Sequence, residues 1–416
     1  MRLQSKTLWR HRDFLKLWSA QSISIFGTEI ASLAYPLTAI VVLEASVFQM
    51  GMLQAAGGAA AVAVGLFAGV IVDRVKRKPL LIASDLGRAL LAVTIPAAAF
   101  FGVLRIEQLY VVAFLAGALN ILSLVAGMAF LPSLVEKEQL VEGNSKLGAT
   151  ESVALIAGPG LSGVLVQILT APLAILVDAA SFIVSAFFTW QIRVPEVLIE
   201  KETRGIWTEI GEGVRFVYTH PLLRPLAESV ALYFLFRQIV LALFTLYAIR
   251  VLNLEPLLLG GIFSGLGFGF LLGALTVRRI TAHFGIGRTM IGANLLNILS
   301  LALIPLAGGS TAFVVALLVI SHFLHAFGIQ LNGINLVSLR QVITPNHLQG
   351  RMTASFRFVN MGMVMLGALV AGFLGEWIGL RATLVVGVVG MILPFLRLIF
   401  SPVRNFREII EQTEKV

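Results

Sequence analysis

Charged and titratable side chains buried in long apolar runs mark where this sequence can act, because a charge at that depth is costly without a partner or a task. Glu29 stands 13 residues beyond Lys16, about 20 Å along a helix at roughly 1.5 Å per residue. That places it near the middle of the first apolar run. Gln21, Ser24, Thr28, Ser32 and Tyr35 share or border its side, and the other sides are apolar. Arg237 occupies the seventh run. Glu29 and Arg237, with Gln21 and Thr28, are candidates for contacts with substrate or protons; a structural salt bridge is the competing reading.

His322, His325, Asn332 and Asn335 follow at spacings of 3, 7 and 3, which is one stripe of a helix. Histidine titrates near neutral pH, so the stripe can carry protons; two hydrogen-bonded packing histidines are the alternative. No acid or cysteine lies on it, so no metal site is expected. Asp85 and Arg88, three residues apart, are expected to satisfy each other as a structural pair. Glu151, Asp178 and Arg357 lie nearer the ends of runs and are assigned to structure.

The elements that position these groups follow from composition. Of 416 residues, 58% are hydrophobic and 13% charged, against about 25% charged in soluble domains. Lipid is the solvent such a chain needs. Twelve runs reach the roughly 20 residues a bilayer requires: about 17–43, 48–72, 79–104, 108–131, 146–170, 172–192, 225–249, 257–277, 288–308, 311–337, 352–375 and 379–400. The first is too long for a signal-peptide core and is read as an uncleaved span. The expectation is an all-α membrane protein of twelve transmembrane helices.

Charge sets its orientation. Of 31 Lys and Arg, Arg105, Arg250 and Arg381 fall in loops assigned outside, and Arg88, Arg237 and Arg357 fall within spans. The remaining 25 lie on the inner side, so both termini are read as cytoplasmic and the site as the plasma membrane. The net charge of +9 is therefore a topology signal and not a nucleic-acid footprint. Zero cysteines excludes disulfides and thiol catalysis. The glycine-rich stretch Gly261 to Gly273 lacks the Lys-Ser/Thr of a phosphate loop and reads as a packing surface. No catalytic constellation or cofactor motif appears, so the chain is not expected to be an enzyme and no cofactor is expected.

The one long connection lies between the sixth and seventh spans. Within it Trp207, Ile210, Val214 and Val217 recur at helical spacing, with Glu209, Glu212 and Arg215 on other faces, which predicts an amphipathic interfacial helix. The division expected is an N-terminal six-helix bundle over 1–192, a cytoplasmic linker over 193–224, a C-terminal bundle over 225–402 and a cytoplasmic tail over 403–416. The halves look duplicated. A shift of 209 lays Ile30-Ala31 and Ala39-Ile40 over Ile239-Val240 and Ala248-Ile249, and places Arg237 over Thr28. A shift of 204 lays Gly65 and Gly69 over Gly269 and Gly273, with Val277 in place of Asp73.

Between the second and third spans stands Gly69-x-x-x-Asp73-Arg74-x-x-Arg77-Lys78. With the six-plus-six plan it resembles the signature loop of the major facilitator superfamily. Leu131-Pro-Ser-Leu-Val135, Gln139 to Lys146, Gly158 to Gly163, Val177 to Phe182 and Ser338-Leu-Arg-Gln341 are similar to the branch containing macrolide-efflux and enterobactin-exporter proteins. The resemblance implies two pseudo-symmetric six-helix bundles around a central, alternately exposed cavity. It also implies that Gly69, Asp73, Arg74, Arg77 and Lys78 form a conformational latch, with Gly69 allowing close helix approach and Asp73 meeting the start of span eleven near Arg351 to Thr353. A plain topology signal is the alternative. Lys76 stands where that family usually has glycine.

Gly158, Pro159 and Gly163 resemble the superfamily's exporter motif, a kinkable, smooth helix surface, although Ala154 replaces its first glycine. The span-four arginine associated with proton coupling in drug antiporters is absent, since 108–131 contain no base. The function implied is a proton-coupled antiporter exporting amphiphilic small molecules such as macrolide-like drugs or siderophores. Its partners would be that substrate, protons and the bilayer, with no nucleic acid, and it would act as a monomer. A lipid or lysophospholipid translocator is one alternative; a non-transporting membrane sensor or assembly subunit is another.

Overall fold

The computed structural model describes residues 8–65, 67–194, 206–345 and 348–406. The expectations for residues 1–7, most of the linker before Ile206, the side chains of Trp207, Glu209 and Ile210, and the tail beyond Phe406 fall outside the described residues. The helices are α1 (Arg12–Leu37), α2 (Val47–Gly65), α3 (Ala68–Arg74), α4 (Arg77–Phe100), α5 (Ile106–Leu134), α6 (Leu140–Leu169), α7 (Ala171–Trp190) and α8 (Ile206–Thr219). They continue with α9 (Leu223–Arg250), α10 (Pro256–Phe284), α11 (Ile286–Leu306), α12 (Thr311–Ile343), α13 (Gln349–Ile378), α14 (Leu380–Gly390) and α15 (Ile392–Ile399). Among the described residues there is no strand. Among the described residues twelve helical segments are long and apolar enough to cross a membrane, α14 and α15 together forming one.

Two spans read as continuous are broken. The second ends at Gly65 and restarts as α3. A Cβ on Gly65 would meet nothing within 4 Å, and glycine is a poor helix former; the Phe67 N–H donates back to the Val64 carbonyl at 3.0 Å. The last span changes direction at Met391, between α14 and α15. Pro394 has no N–H to give the carbonyl four residues earlier, that of Gly390. A Cβ on Gly390 would collide with the Phe236 ring, so glycine lets the bend seat against α9.

Cα packing divides the chain into two compact units, residues 1–45 with 56–202 and residues 46–55 with 203–416. In the first, α1 packs on α6 and α7, and α4 on α5 and α7; Phe14, Leu17, Phe130 and Leu131 fill one end of its core. In the second, α10 packs on α12, α12 on α11, and α9 on α13 and α14. Gly265, Gly269 and Gly273, one turn apart on α10, face Val319, Phe323 and Gln330 of α12. The glycine-rich stretch is thus a packing surface, where missing side chains let two backbones approach as membrane helices require. The start of α2 belongs to the second unit: Gly51 crosses the Gly372 backbone, and the Phe48 N–H donates to Glu376 Oε2 at 3.1 Å.

The proposed duplication leaves a mark in the backbone. Glu44 and Asn253 both take left-handed φ, 49° and 52°. Thr170 has φ 85° and ψ 156°, and Gly379 has φ 86° and ψ 160°. The Ala45 N–H reaches the Ala39 carbonyl at 2.9 Å, and the Leu254 N–H reaches that of Ala248 at 3.0 Å. Each of these pairs is related by the 209-residue shift read from spans one and seven.

Candidate functional site

The first unit holds a cavity of about 350 Å³. Leu17, Ile25, Leu124, Met128 and Leu147 give it apolar walls. Polar groups enter from five helices: Gln21, Thr28 and Glu29 of α1, Asp85 and Arg88 of α4, Asn120 and Ser123 of α5, Glu151 of α6, and Ser185 of α7. Glu29 is half-buried, and no protein group hydrogen-bonds or pairs with its carboxylate among the described residues.

Glycine sets how close α6 comes to this wall. A Cβ on Gly158 would collide with the Glu29 Cβ, so Gly158 allows α6 to lie directly against the acid's own backbone. Ser162 Oγ donates to the Ile30 carbonyl one turn further on. Gly158, Pro159 and Gly163 are all buried in α6. The kink motif therefore serves as the surface on which α1 presents Glu29.

Asp85 and Arg88 do more than satisfy each other. Arg88 Nη2 lies 2.5 Å from Asp85 Oδ1. Its Nη1 donates to Asn120 Oδ1 at 3.0 Å, and Nη2 also reaches Ser123 Oγ at 3.4 Å. Ser185 Oγ donates to Asp85 Oδ2 at 2.7 Å, and the guanidinium lies 4.1 Å from the Phe182 ring centre. Three helices are tied together through one buried ion pair. The cation absent from span four is supplied to that span from α4, a relation spacing alone did not reveal. Asn120, Ser123 and Gly127, spaced 3 and 4 on α5, were the available signal, and Gln21 Nε2 lies over Gly127.

The second unit is arranged differently. Arg237 Nε donates to His325 Nε2 at 3.1 Å, which fixes the His325 proton on Nδ1. His322 Nδ1 lies 2.9 Å from the Leu318 carbonyl, and its ring is flanked by Phe244 at 4.5 Å and Phe263 at 5.4 Å. His322 Nε2, His325 Nδ1 and Asn332 Oδ1 are buried without a partner among the described residues. Asn335 is engaged by Thr281 at 3.0 Å and by the Leu331 carbonyl. Glu29 and Arg237 belong to different units; within its own, Arg237 is met by a histidine.

Along the loop between α3 and α4, Asp73 and Arg74 are exposed and Val72 is buried. A Cβ on Gly69 would meet nothing within 4 Å. The close approach expected there is not made, because α3 leaves that face open. Lys78 Nζ donates to the Ile192 carbonyl at 2.6 Å, and Lys16 Nζ to that of Gln191 at 2.9 Å. These two ammonium groups close the negative end of α7. Arg351, at the start of α13, pairs with Glu212 of α8, so α8 is tied to span eleven by charge and by Val217, which is buried in the same core as Met352 and Phe356. Arg357 is exposed, whereas Glu151 lines the cavity and Asp178 is 3% exposed. Among the described residues no cluster of potential metal ligands occurs.

Twelve spans around two helical units, with a polar-lined cavity at membrane depth, define a polytopic membrane transporter and not an enzyme. Residues 6–415 match the family described as transmembrane secretion effector, and the chain belongs to that family, within the major facilitator superfamily. It is 27% identical over 352 residues to the multidrug efflux pump Tap of Mycolicibacterium fortuitum, covering 80% of this chain and 84% of that one. It is 22% identical to macrolide efflux protein A of Streptococcus pyogenes, covering 90% and 93%. The solved structure of the nucleoside transporter NupG superposes with a TM-score of 0.77 at 15% identity, over 94% of this chain and 98% of that chain; this shows the fold.

Proposed function

We propose that the protein is a secondary exporter of amphiphilic small molecules driven by proton entry, working by alternating access in the plasma membrane with both termini inside. The observation that carries this reading is Glu29, a carboxylate without a hydrogen-bond or ion-pair partner among the described residues, on a cavity that joins apolar walls of Leu17, Ile25, Leu124, Met128 and Leu147 to polar side chains. Apolar walls take up the body of an amphiphile without hydrogen-bond demands, and an unpaired acid at membrane depth can bind either a proton or a cationic head, but not both. That exclusion is the coupling antiport needs. The efflux proteins among its relatives support the direction and the substrate class. Both six-helix halves sit on one chain, so a monomer is a complete transport unit.

Asp73 acts as a latch and not as a substrate contact. Its exposure at the end of α3 suits a contact made in one conformation and broken in the other. Asp73→Asn is expected to slow turnover and leave affinity intact; lost binding with normal turnover would assign the loop to the substrate site. The overall reading is tested with the full-length protein in proteoliposomes, using erythromycin as the macrolide probe. Erythromycin-dependent proton movement is expected, and its absence at every pH would remove antiport.

A further inference from the structure

Asp178 takes no part in the cavity described above. It stands two turns into α7, 3% exposed, and its Oδ1 is a buried acceptor without a partner among the described residues. That oxygen lies 3.1 Å from where a Cβ on Gly27 would stand, and the Ser181 side chain one turn further on would collide with it, so glycine on α1 makes room chiefly for Ser181 beside the carboxyl group. The charged and titratable groups around it are few. From α4 come Asp85 and Arg88, and from α1 comes Tyr35, all within its electrostatic reach. Glu29, two residues from Gly27, faces Gly158 of α6 instead. Glu151, the nearest titratable residue of α6, lies most of that helix away from the Thr170 corner, whereas Asp178 is close to it. α7 itself has no other ionisable side chain.

One guanidinium therefore serves two buried carboxyl groups. Arg88 Nη2 is committed to Asp85 at 2.5 Å, while Arg88 Nε is buried with no partner among the described residues. With both acids ionised the cluster would carry an uncompensated negative charge away from water, the arrangement that buried ion pairs avoid. A proton on the acid that lacks a partner removes that charge. The Asp85–Arg88 pair lines the cavity and Asp178 does not, so the pair is the charged group within electrostatic reach of Asp178 that also meets the cavity.

We infer that Asp178 is a proton-binding site: it holds a carboxylic-acid proton in the conformation described here and releases it by way of the Asp85–Arg88 pair. On release the Asp178 O–H bond breaks as an O–H bond forms on the Asp85 carboxylate, that second O–H bond then breaks to give the proton to cavity water, and the idle Nε–H of Arg88 becomes the partner of the new Asp178 carboxylate. No other bond changes. As the step that loads the coupling proton, this inference rests on the proposed antiport; as a protonation site, it does not.

Infrared difference spectroscopy of the full-length protein in lipid nanodiscs tests the site without any substrate. The wild type at neutral pH is expected to show a carboxylic-acid C=O band that shifts in D₂O. Asp178→Asn should remove a component of that band and Asp178→Glu should move it, whereas Asp85→Asn, which frees Arg88 to face Asp178 alone, should weaken it. If Asp178→Asn does not fold, Asp178→Glu carries the test, since an identical band would overturn the assignment. Spectra unchanged by either Asp178 substitution would overturn it as well. Proteoliposome flux separates this from the parent reading. A lost band without erythromycin-driven proton movement leaves the site and removes antiport, whereas flux with unchanged spectra does the reverse.

Discussion

The two units carry the same backbone marks at a 209-residue shift, yet they handle buried charge in opposite ways. The first places Glu29, Asp85 and Asp178 at membrane depth with one arginine among them, and arranges polar side chains from five helices around a cavity. The second pairs its membrane-depth arginine, Arg237, with a histidine and spends its small residues on a glycine seam between α10 and α12. In the proposed function only the first unit carries the titrating acids.

The sharpest way to break this contrast is to delete each arginine. Arg88→Leu strands Asp85 as a buried charge and is expected to cost about 3–5 kcal/mol, read as a drop in thermal stability in nanodiscs. Arg237→Leu leaves a neutral histidine behind and should cost only about 1 kcal/mol. Equal losses would show that the units do not differ in this way. Gly158→Val probes the seat of Glu29. The added atoms have no room beside the Glu29 Cβ, and a loss of about 1–3 kcal/mol is expected from overpacking, with erythromycin export falling further than stability does.

Next in size is the corner that both units share. Thr170 holds φ 85° and ψ 156°, a region natural to glycine and strained for other residues by about 1–3 kcal/mol. Thr170→Gly should raise thermal stability and Gly379→Thr should lower it. Opposite signs would show that the two corners are not equivalent.

The smallest effect concerns acid. His220, between α8 and α9, accepts at Nδ1 from the Leu222 N–H at 3.2 Å and the Leu223 N–H at 3.4 Å, and burial holds its pKa below the ordinary value of 6.5. A base whose folded pKa is lowered favours folding while neutral. Its contribution is therefore present above about pH 6.5 and is lost as pH falls below the unfolded value. Asn at position 220 can accept from the same N–H groups without titrating, so hydrogen exchange at the start of α9 should lose its acid sensitivity in His220→Asn.

Much of this was legible in the chain. Twelve apolar runs, the short cationic loops and the signature between spans two and three were enough for the fold, because lipid admits few solutions for an apolar backbone. Glu29 could be placed on the cavity wall because Gln21 and Thr28 share its polar side. Spacing could not show that Arg88 reaches Asn120 and Ser123 on the next span, or that Arg237 meets His325. Those contacts depend on how helices rotate against one another. Gly69 misled because a glycine in a helix signals close approach only if a neighbour arrives, and Asp178 was assigned to structure because it lies toward the end of its run. The break at Met391 could have been anticipated from Pro394, four residues after Gly390.

In the proposed function the acids of the first unit carry transport. Everted membrane vesicles, in which export appears as uptake of labelled erythromycin driven by an imposed proton gradient, test this in one comparison of Glu29→Gln with Arg237→Gln. Glu29→Gln is expected to abolish gradient-driven uptake while Arg237→Gln retains most of it. Full gradient-driven uptake by Glu29→Gln, or its loss only in Arg237→Gln, would contradict the claim.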